Sequence, residues 1–483
     1  MTSIKNKTIS GLSWSFFENS IRMVSTFVVG IILARLISPR EFGLIGMMMV
    51  FIAVGNIFVS SGFSKALIRK QDCTQTDYST VFIFNLLISI IVYFIIFAFS
   101  GLISDFFNEP ELKLMIKVLA FGIIINGISI IQLTQVTREL DFKLLAKISI
   151  IASVVSSIVS IFFAYKNFGA WSIIIKTLLD YFITTILLWR WNKWFPSFIF
   201  DKNSFKELFG FGSKLLFVSL LDTVYRNIYT LIVGKFFSAR ELGFYSRADS
   251  FKALPSENIS AILQNVSYPI LSKLQNNSDE LLSKFKTILT STMLITSLLI
   301  FGMAACSEAM VLSLIGPEWK PSIVYLQLLC FVGFMYPIHA LNLVLLNVLG
   351  RSDLFLKLEI IKKIFAIPTI IIGVLFGITP MIIAMIFQSI VSYYINCYYT
   401  GKLLNYGILK QIGDLFKPIL FSLSIATIVY LVGVFFQLTP WVVFAIQINI
   451  GIIFTVLIGE IFRPKDYYFI RGIVLERINI RKN

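Results

Sequence analysis

The sequence predicts an all-α polytopic membrane protein of about fourteen transmembrane helices, set out as two six-helix lobes and two extra C-terminal helices. Three observations carry this: the composition, the alternating charge of the segments between apolar stretches, and a repeat of the chain within itself. Of 483 residues, 57% are hydrophobic and only 14% charged, with a mean hydropathy of +0.84. A soluble chain carries about 25% charged residues. The first apolar stretch, 11–36, is longer than the roughly 7–15-residue core of a secretory signal and lacks its small-residue cleavage site. It is therefore expected to remain as the first span.

A helix needs about 20 mostly apolar residues to cross a bilayer. On that measure the spans fall at 11–35, 41–64, 79–103, 114–136, 144–165, 168–190 and 208–235. They continue at 243–272, 287–306, 321–349, 354–376, 379–401, 413–436 and 440–462. The eighth is the most interrupted, by Lys252, Pro255 and Glu257. Lysine and arginine crowd alternate connections: Lys65, Arg69 and Lys70; Arg138, Lys143 and Lys147; Arg190, Lys193, Lys202 and Lys206; then Arg351, Lys402, Lys410 and the tail. The opposite connections, "SDFFNEPEL" and "CSEAMVLSLIGPEW", are acidic, and "FGITP" and "FQLTP" are uncharged. Cytoplasmic loops hold the excess of Lys and Arg, so both termini are expected in the cytoplasm, in a multi-pass membrane protein. The net charge of +16 is then positive-inside charge with affinity for anionic lipid, and no nucleic-acid partner is expected.

The segment "IILARLISPREFGLIGMMMVF" (31–51) matches "LIVGKFFSARELGFYSRADSF" (231–251) without a gap at an offset of 200. Ser38, Arg40, Glu41 and Gly43 recur as Ser238, Arg240, Glu241 and Gly243. Further on, "PELK" (110–113) faces "PEWK" (317–320), Asp141 faces Asp353, and "FGAWSIII" (168–175) faces "FGITPMII" (376–383). Three segments follow: an N-terminal six-helix lobe at 1–200, a C-terminal one at 201–403, and two extra helices with a basic tail at 404–483. Six is even, so both lobes enter the membrane in the same direction. That is the parallel-repeat design of some transporters, in which alternating access arises by rocking.

Charges inside the spans are the candidate site. In the first span Glu18 and Arg22 stand four residues apart, on one helical face. In the seventh, Asp222 and Arg226 have the same spacing, one turn displaced in the repeat. A charge at the centre of a bilayer costs roughly 2.5–3.5 kcal/mol on insertion scales, so it faces a partner or water. Two readings stand. Each pair neutralises itself and holds helices together; or the arginines receive an anionic group, for which the planar guanidinium fork suits phosphate. Lys176 and Asp180 in the sixth span are a further i,i+4 pair, and Arg247 and Lys252 in the eighth extend a basic lining. His339, after Pro337, reads as a structural histidine beside a kink more readily than as a proton relay. Pro255, Pro269, Pro337 and Pro368 are candidate bending points.

The four cysteines, Cys73, Cys306, Cys330 and Cys397, form no CxxC pair, so no metal site or disulfide is expected. The sequence has no GxxxxGK[ST] and no HExxH, and the acidic connections are short for a catalytic domain. No enzyme and no cofactor are expected.

The stretches "LARLISPREFGLIGMMMVFIAVGNIFVSSGFSKALIRK", "ELDFKLLAKISIIASVVSSIV", "FGSKLLFVSLLDTVYRNIYTLIVGKFFSARELGFYSRADSF" and "YPIHALNLVLLNVLGRSDLFLKLEIIKKI" resemble the Wzx-type polysaccharide flippases. These form the polysaccharide-transporter branch of the MOP superfamily, and the resemblance, over about 10–400, is close to the colanic-acid and teichuronic-acid exporters; it implies a bacterial cytoplasmic (inner) membrane. It implies a MOP-type fold and movement of undecaprenyl-pyrophosphate-linked oligosaccharide across the cytoplasmic membrane through a cationic cavity. It also implies coupling to protons or sodium, and partners among the glycan polymerase and other assembly proteins. The rival readings are a cation-coupled multidrug-type exporter on the same fold, which expects isolated acids in an apolar cavity, and a non-transporting scaffold, which needs no charged cavity.

Overall fold

A computed structural model describes residues 2–60 and 62–480, and among them every regular element is helical. The chain divides into two compact units, Met1–Gly243 and Phe244–Asn483. Unit 1 contains α1 (Thr2–Leu36), α2 (Pro39–Ser60), α3 (Phe63–Arg69), α4 (Gln75–Phe107), α5 (Leu112–Arg138), α6 (Phe142–Tyr165), α7 (Ala170–Asn192) and α8 (Lys202–Phe236). Helix α9 (Ala239–Ser272) begins there and continues into unit 2. Unit 2 then holds α10 (Ser278–Ala305), α11 (Ser307–Leu314), a 3-10 turn (Pro317–Trp319), α12 (Ser322–Gly333) and α13 (Tyr336–Val348). It ends with α14 (Ser352–Ile364), α15 (Ala366–Phe376), α16 (Ile378–Leu404), α17 (Ile408–Phe435), α18 (Pro440–Phe462) and α19 (Lys465–Ile480).

Twelve helical stretches among the described residues are long and apolar enough to span a membrane. The two expected spans that fall short have physical reasons. Helix α9 is continuous over 34 residues but too polar. The stretch 354–376 is split between α14 and α15 at Phe365. Proline explains that break and another. Pro368 lacks the N–H that would bond the carbonyl of Ile364, where α14 ends; Pro337 leaves the carbonyl of Gly333 free in the same way, where α12 ends.

Lipid tails are as apolar as leucine, so close packing and interhelical hydrogen bonds hold such helices together. In unit 1 one end of α2 is fastened by the residues that the repeat shares. Arg40 pairs with Glu109 and Glu111 (3.1 Å) in the α4–α5 connection. Glu41 accepts from the backbone N–H of Ser38 (3.1 Å) and of Ala170 (3.2 Å), joining the starts of α2 and α7. The Gly169 before α7 has φ +53°, and its repeat counterpart before α16, Gly377, has φ +107°, both in the region that favours glycine. At the basic end, Thr74 and Asp77 form a capping box on α4, and Lys70 pairs with Asp77 (3.1 Å) and with Glu207 of α8 (2.9 Å). Helix α8 lies against α2, α3 and α4. A methyl group on Gly62 would strike the Gly212 carbonyl, so the backbones approach there as only glycine permits.

Unit 2 is built around Phe285, Leu289 and Met293 of α10, Leu341 and Leu345 of α13, and Tyr393 and Cys397 of α16. A polar thread crosses this core. The amides of Asn342 and Gln411 bond each other (3.2 and 3.3 Å), and Thr400 donates to Asn342 (2.9 Å). His339 sits 3.0 Å from the Ser389 hydroxyl through Nε2 and 3.3 Å from the Asn396 amide through Nδ1, a half-buried histidine that ties α13 to α16.

Candidate functional site

Four of the eight sequence candidates gather in unit 1. Arg22 on α1 borders a cleft against α6, lined by Ile21, Ser25, Ser149, Ile150, Ser153 and Val154. The hydroxyls of Ser25 and Ser153 meet across it at 3.3 Å. Glu18, one turn earlier, is half-buried and lies near Ser149 of the same wall. The Arg22 charge acts on Glu18, on Lys176 and on Tyr181. Asp180 acts on Lys176 and Tyr181 from the same turn of α7.

Helix rise gives the depth of these charges. At 1.5 Å per residue, Lys176 lies about 9 Å along α7 from its start, and Asp180 about 15 Å. Arg22 lies about 21 Å back from the end of α1 at Leu36, the end that shares the acidic side. Against a hydrocarbon thickness of about 30 Å, the three form a ladder of alternating sign through unit 1.

The expected ion pairs do not all form. Among the described residues, neither Glu18 with Arg22 nor Lys176 with Asp180 closes to an ion pair within 4 Å. On α8 the pair does close, with Arg226 Nε 2.8 Å from Asp222 Oδ2, and both side chains are exposed. Arg226 lies about 15 Å from the end of α8, at mid-depth. Arg247 and Lys252 lie in unit 2. Arg247 stacks 5.7 Å from the ring of the fully buried Trp319. Lys252 is buried, pairs with Asp249 at 2.7 Å, and runs along Gly333 so closely that a Cβ there would strike its stem. Its charge is neutralised within α9.

Sequence reasoning missed the amide chain beside the ladder. Asn126 of α5 donates to Asn56 of α2 (3.0 Å), which donates to the Tyr181 hydroxyl (3.2 Å). Its signal was present: each asparagine stands alone in an apolar run, "AVGNIF" and "IIINGI". It also missed the serines of α6 that face α1.

No metal or catalytic cluster is needed for what this arrangement can do. A line of charged and hydroxyl-bearing side chains through a helical membrane unit defines a transporter, one that passes a polar group where lipid would not admit it. The sequence model described as polysaccharide biosynthesis protein matches residues 32–324, more than half of the chain, and the chain belongs to that family. It is 27% identical over 448 residues to the lipopolysaccharide biosynthesis protein WzxC of Escherichia coli (strain K12), covering 89% of each chain. It is 25% identical over 364 residues to the teichuronic acid biosynthesis protein TuaB of Bacillus subtilis (strain 168), covering 73% of this chain and 74% of TuaB. In fold it resembles the lipid II flippase MurJ in an inward closed conformation, with a TM-score of 0.74 at 17% identity, over 94% of this chain and 98% of that one. An inward-facing multidrug resistance MATE transporter of the MOP superfamily gives 0.60 at 15% identity, over 80% and 96%. The MOP-type fold expected from the sequence is therefore the fold observed.

Proposed function

We propose that this chain flips undecaprenyl-pyrophosphate-linked oligosaccharide repeat units across a bacterial cytoplasmic membrane by alternating access, supplying surface polysaccharide such as capsule, O-antigen or exopolysaccharide. The supporting observation is Arg22, set among hydroxyls and unpaired with Glu18, so that its donors are available to an anionic headgroup. Arg226 at mid-depth and Lys176 nearer the acidic side continue the path for the pyrophosphate, while the hydroxyls of Ser25, Ser149 and Ser153 suit sugar. Asp180 and Glu18 keep the ladder from trapping its cargo. Arg247 and Lys252, stacked and paired in unit 2, are left out of this path. The chain moves its cargo without changing it covalently, is driven by a proton or sodium gradient, keeps both termini in the cytoplasm, and hands its cargo to a glycan polymerase and its assembly partners.

Deletion of the gene should raise the lipid-linked glycan on the inner leaflet; an unchanged inner-leaflet pool excludes the reading. In intact cells, cysteines introduced at Asn108 and Glu318 should react with an impermeant thiol reagent, while cysteines at Arg138 and Lys202 stay shielded. A second reading has its own support. Glu18 without an ion pair is the isolated acid that a cation-coupled multidrug exporter would use. Efflux of organic cations lost on Glu18→Gln, with glycan export intact, would favour it.

A further inference from the structure

The connection between α7 and α8 is built differently from its counterpart between α16 and α17. The latter is three residues, Asn405–Gly407, and its aromatic side chain is fully buried: Tyr406 donates to Asp414 at 2.7 Å. The former runs for nine residues, "KWFPSFIFD", 193–201, and leaves its aromatics outside: Phe198 is 93% exposed and Phe195 66%. It is nevertheless fixed. Gln75 donates to the Phe195 carbonyl (2.7 Å) and accepts from the Trp194 indole (2.6 Å). Ser197 N donates to Ser79 Oγ (3.0 Å), and Asp201 N donates to Thr80 Oγ1 (3.0 Å). The backbone is bolted to the first turns of α4, and the apolar side chains are held outward.

The level of those turns identifies what they meet. The 33 residues of α4 are about 50 Å long, more than the roughly 40–45 Å from headgroup layer to headgroup layer, so its first turns lie at a headgroup level. Lys193, Lys202 and Lys206 are exposed around the aromatic segment. Burial of apolar side chains such as Phe at the headgroup–acyl boundary and attraction of lysines to anionic lipid are the two attractions a leaflet offers. The geometry points to residues 193–200 as a lipid-surface anchor: Phe195, Phe198 and Ile199 enter the headgroup layer, and the three lysines select anionic lipid on the basic side of the membrane. The anchor acts whatever cargo the chain carries.

The test uses the full chain with Cys73→Ser and Phe198→Cys, carrying an environment-sensitive fluorophore at 198, in phosphatidylcholine vesicles with or without phosphatidylglycerol. The same chain without Phe198→Cys controls for labelling of the three buried cysteines, and gel filtration controls for folding. With phosphatidylglycerol, the fluorophore should be quenched by nitroxide lipids labelled near the headgroup and shielded from aqueous iodide. Replacing Lys193, Lys202 and Lys206 by glutamine should lower the inserted-to-free ratio about fivefold per lysine. Equal iodide access in both vesicles overturns the anchor, as does insertion indifferent to phosphatidylglycerol. Shielding that appears only on adding cytosolic protein overturns it in favour of a protein partner.

Discussion

Helices α1 and α8 are the same helix twice and do different things. Each runs for 35 residues, Thr2–Leu36 and Lys202–Phe236, at the 200-residue offset of the repeat. Each carries an acid followed four residues later by arginine. On α8 the two close on each other; on α1 they do not. The difference comes from the neighbours. Helix α1 rests on α6, which sets hydroxyls against it: Ser149 lies near Glu18, and Ser153 meets Ser25. Helix α8 rests on α2, α3 and α4. An i,i+4 spacing thus makes an ion pair available without guaranteeing that it forms.

The largest effect expected from this comparison is on α1. Neutralising both residues, Glu18→Gln with Arg22→Gln, leaves no uncompensated charge; the protein should insert at normal abundance. Export should fall about 10- to 100-fold, the worth of roughly 1.5–3 kcal/mol for hydrogen bonds to a charged group. Wild-type export in that variant would make α1 structural. Arg22→Lys should recover only part of the rate, since an ammonium cannot supply the bidentate fork.

Next is the seat of α8. Gly62→Val forces apart the backbones of α3 and α8, and overpacking of this kind costs about 1–3 kcal/mol. It should lower the melting temperature in detergent and the membrane abundance; an unchanged melting temperature would mean that α8 does not depend on this contact.

The neutral pair on α8, Asp222→Asn with Arg226→Gln, is a finer comparison. The Arg226 side chain is 65% exposed and that of Asp222 47%, and an exposed pair is worth about 0–1 kcal/mol. Thermal stability should hold within that range while glycan export drops, which separates binding from scaffolding. The smallest effect is expected for Ser149→Ala. Interhelical hydrogen bonds in membranes average about 0.6 kcal/mol, so stability should barely move. If Ser149 holds Glu18 away from Arg22, the released carboxylate should close on the arginine and weaken glycan export two- to threefold, about that energy.

Much of the fold was legible because a membrane leaves few choices. Apolar length and alternating loop charge located the helices, and the ungapped repeat placed the ends of α1 and α8. The MOP-type fold followed from the resemblance. The bends at Pro337 and Pro368 and the polarity of the eighth span were legible as well; what the sequence did not show is that the helices end there, α12 at Gly333 and α14 at Ile364, while α9 runs on through Pro255 and Pro269. For the site, α1 and α7 could be marked from their charges, but the fate of each pair could not. Lys252 needed the bare edge of Gly333, and Arg247 the ring of Trp319; such neighbours come from packing, which one sequence does not display. Asn56 and Asn126 were visible as lone amides, yet nothing in their spacing joined them to Tyr181.

The packing of α8 bears on where this duplicated chain can be cut. The repeat places its seam near residue 200, but α8 is seated on α2, α3 and α4 through Gly62, Gly212 and the Lys70–Glu207 pair. Two halves expressed from separate genes and divided at 200 would part α8 from that seat and require it to be found again after insertion. Division at Phe237–Ser238, between α8 and α9, keeps the seat within one polypeptide. Of the two splits, the later one should reassemble the more readily.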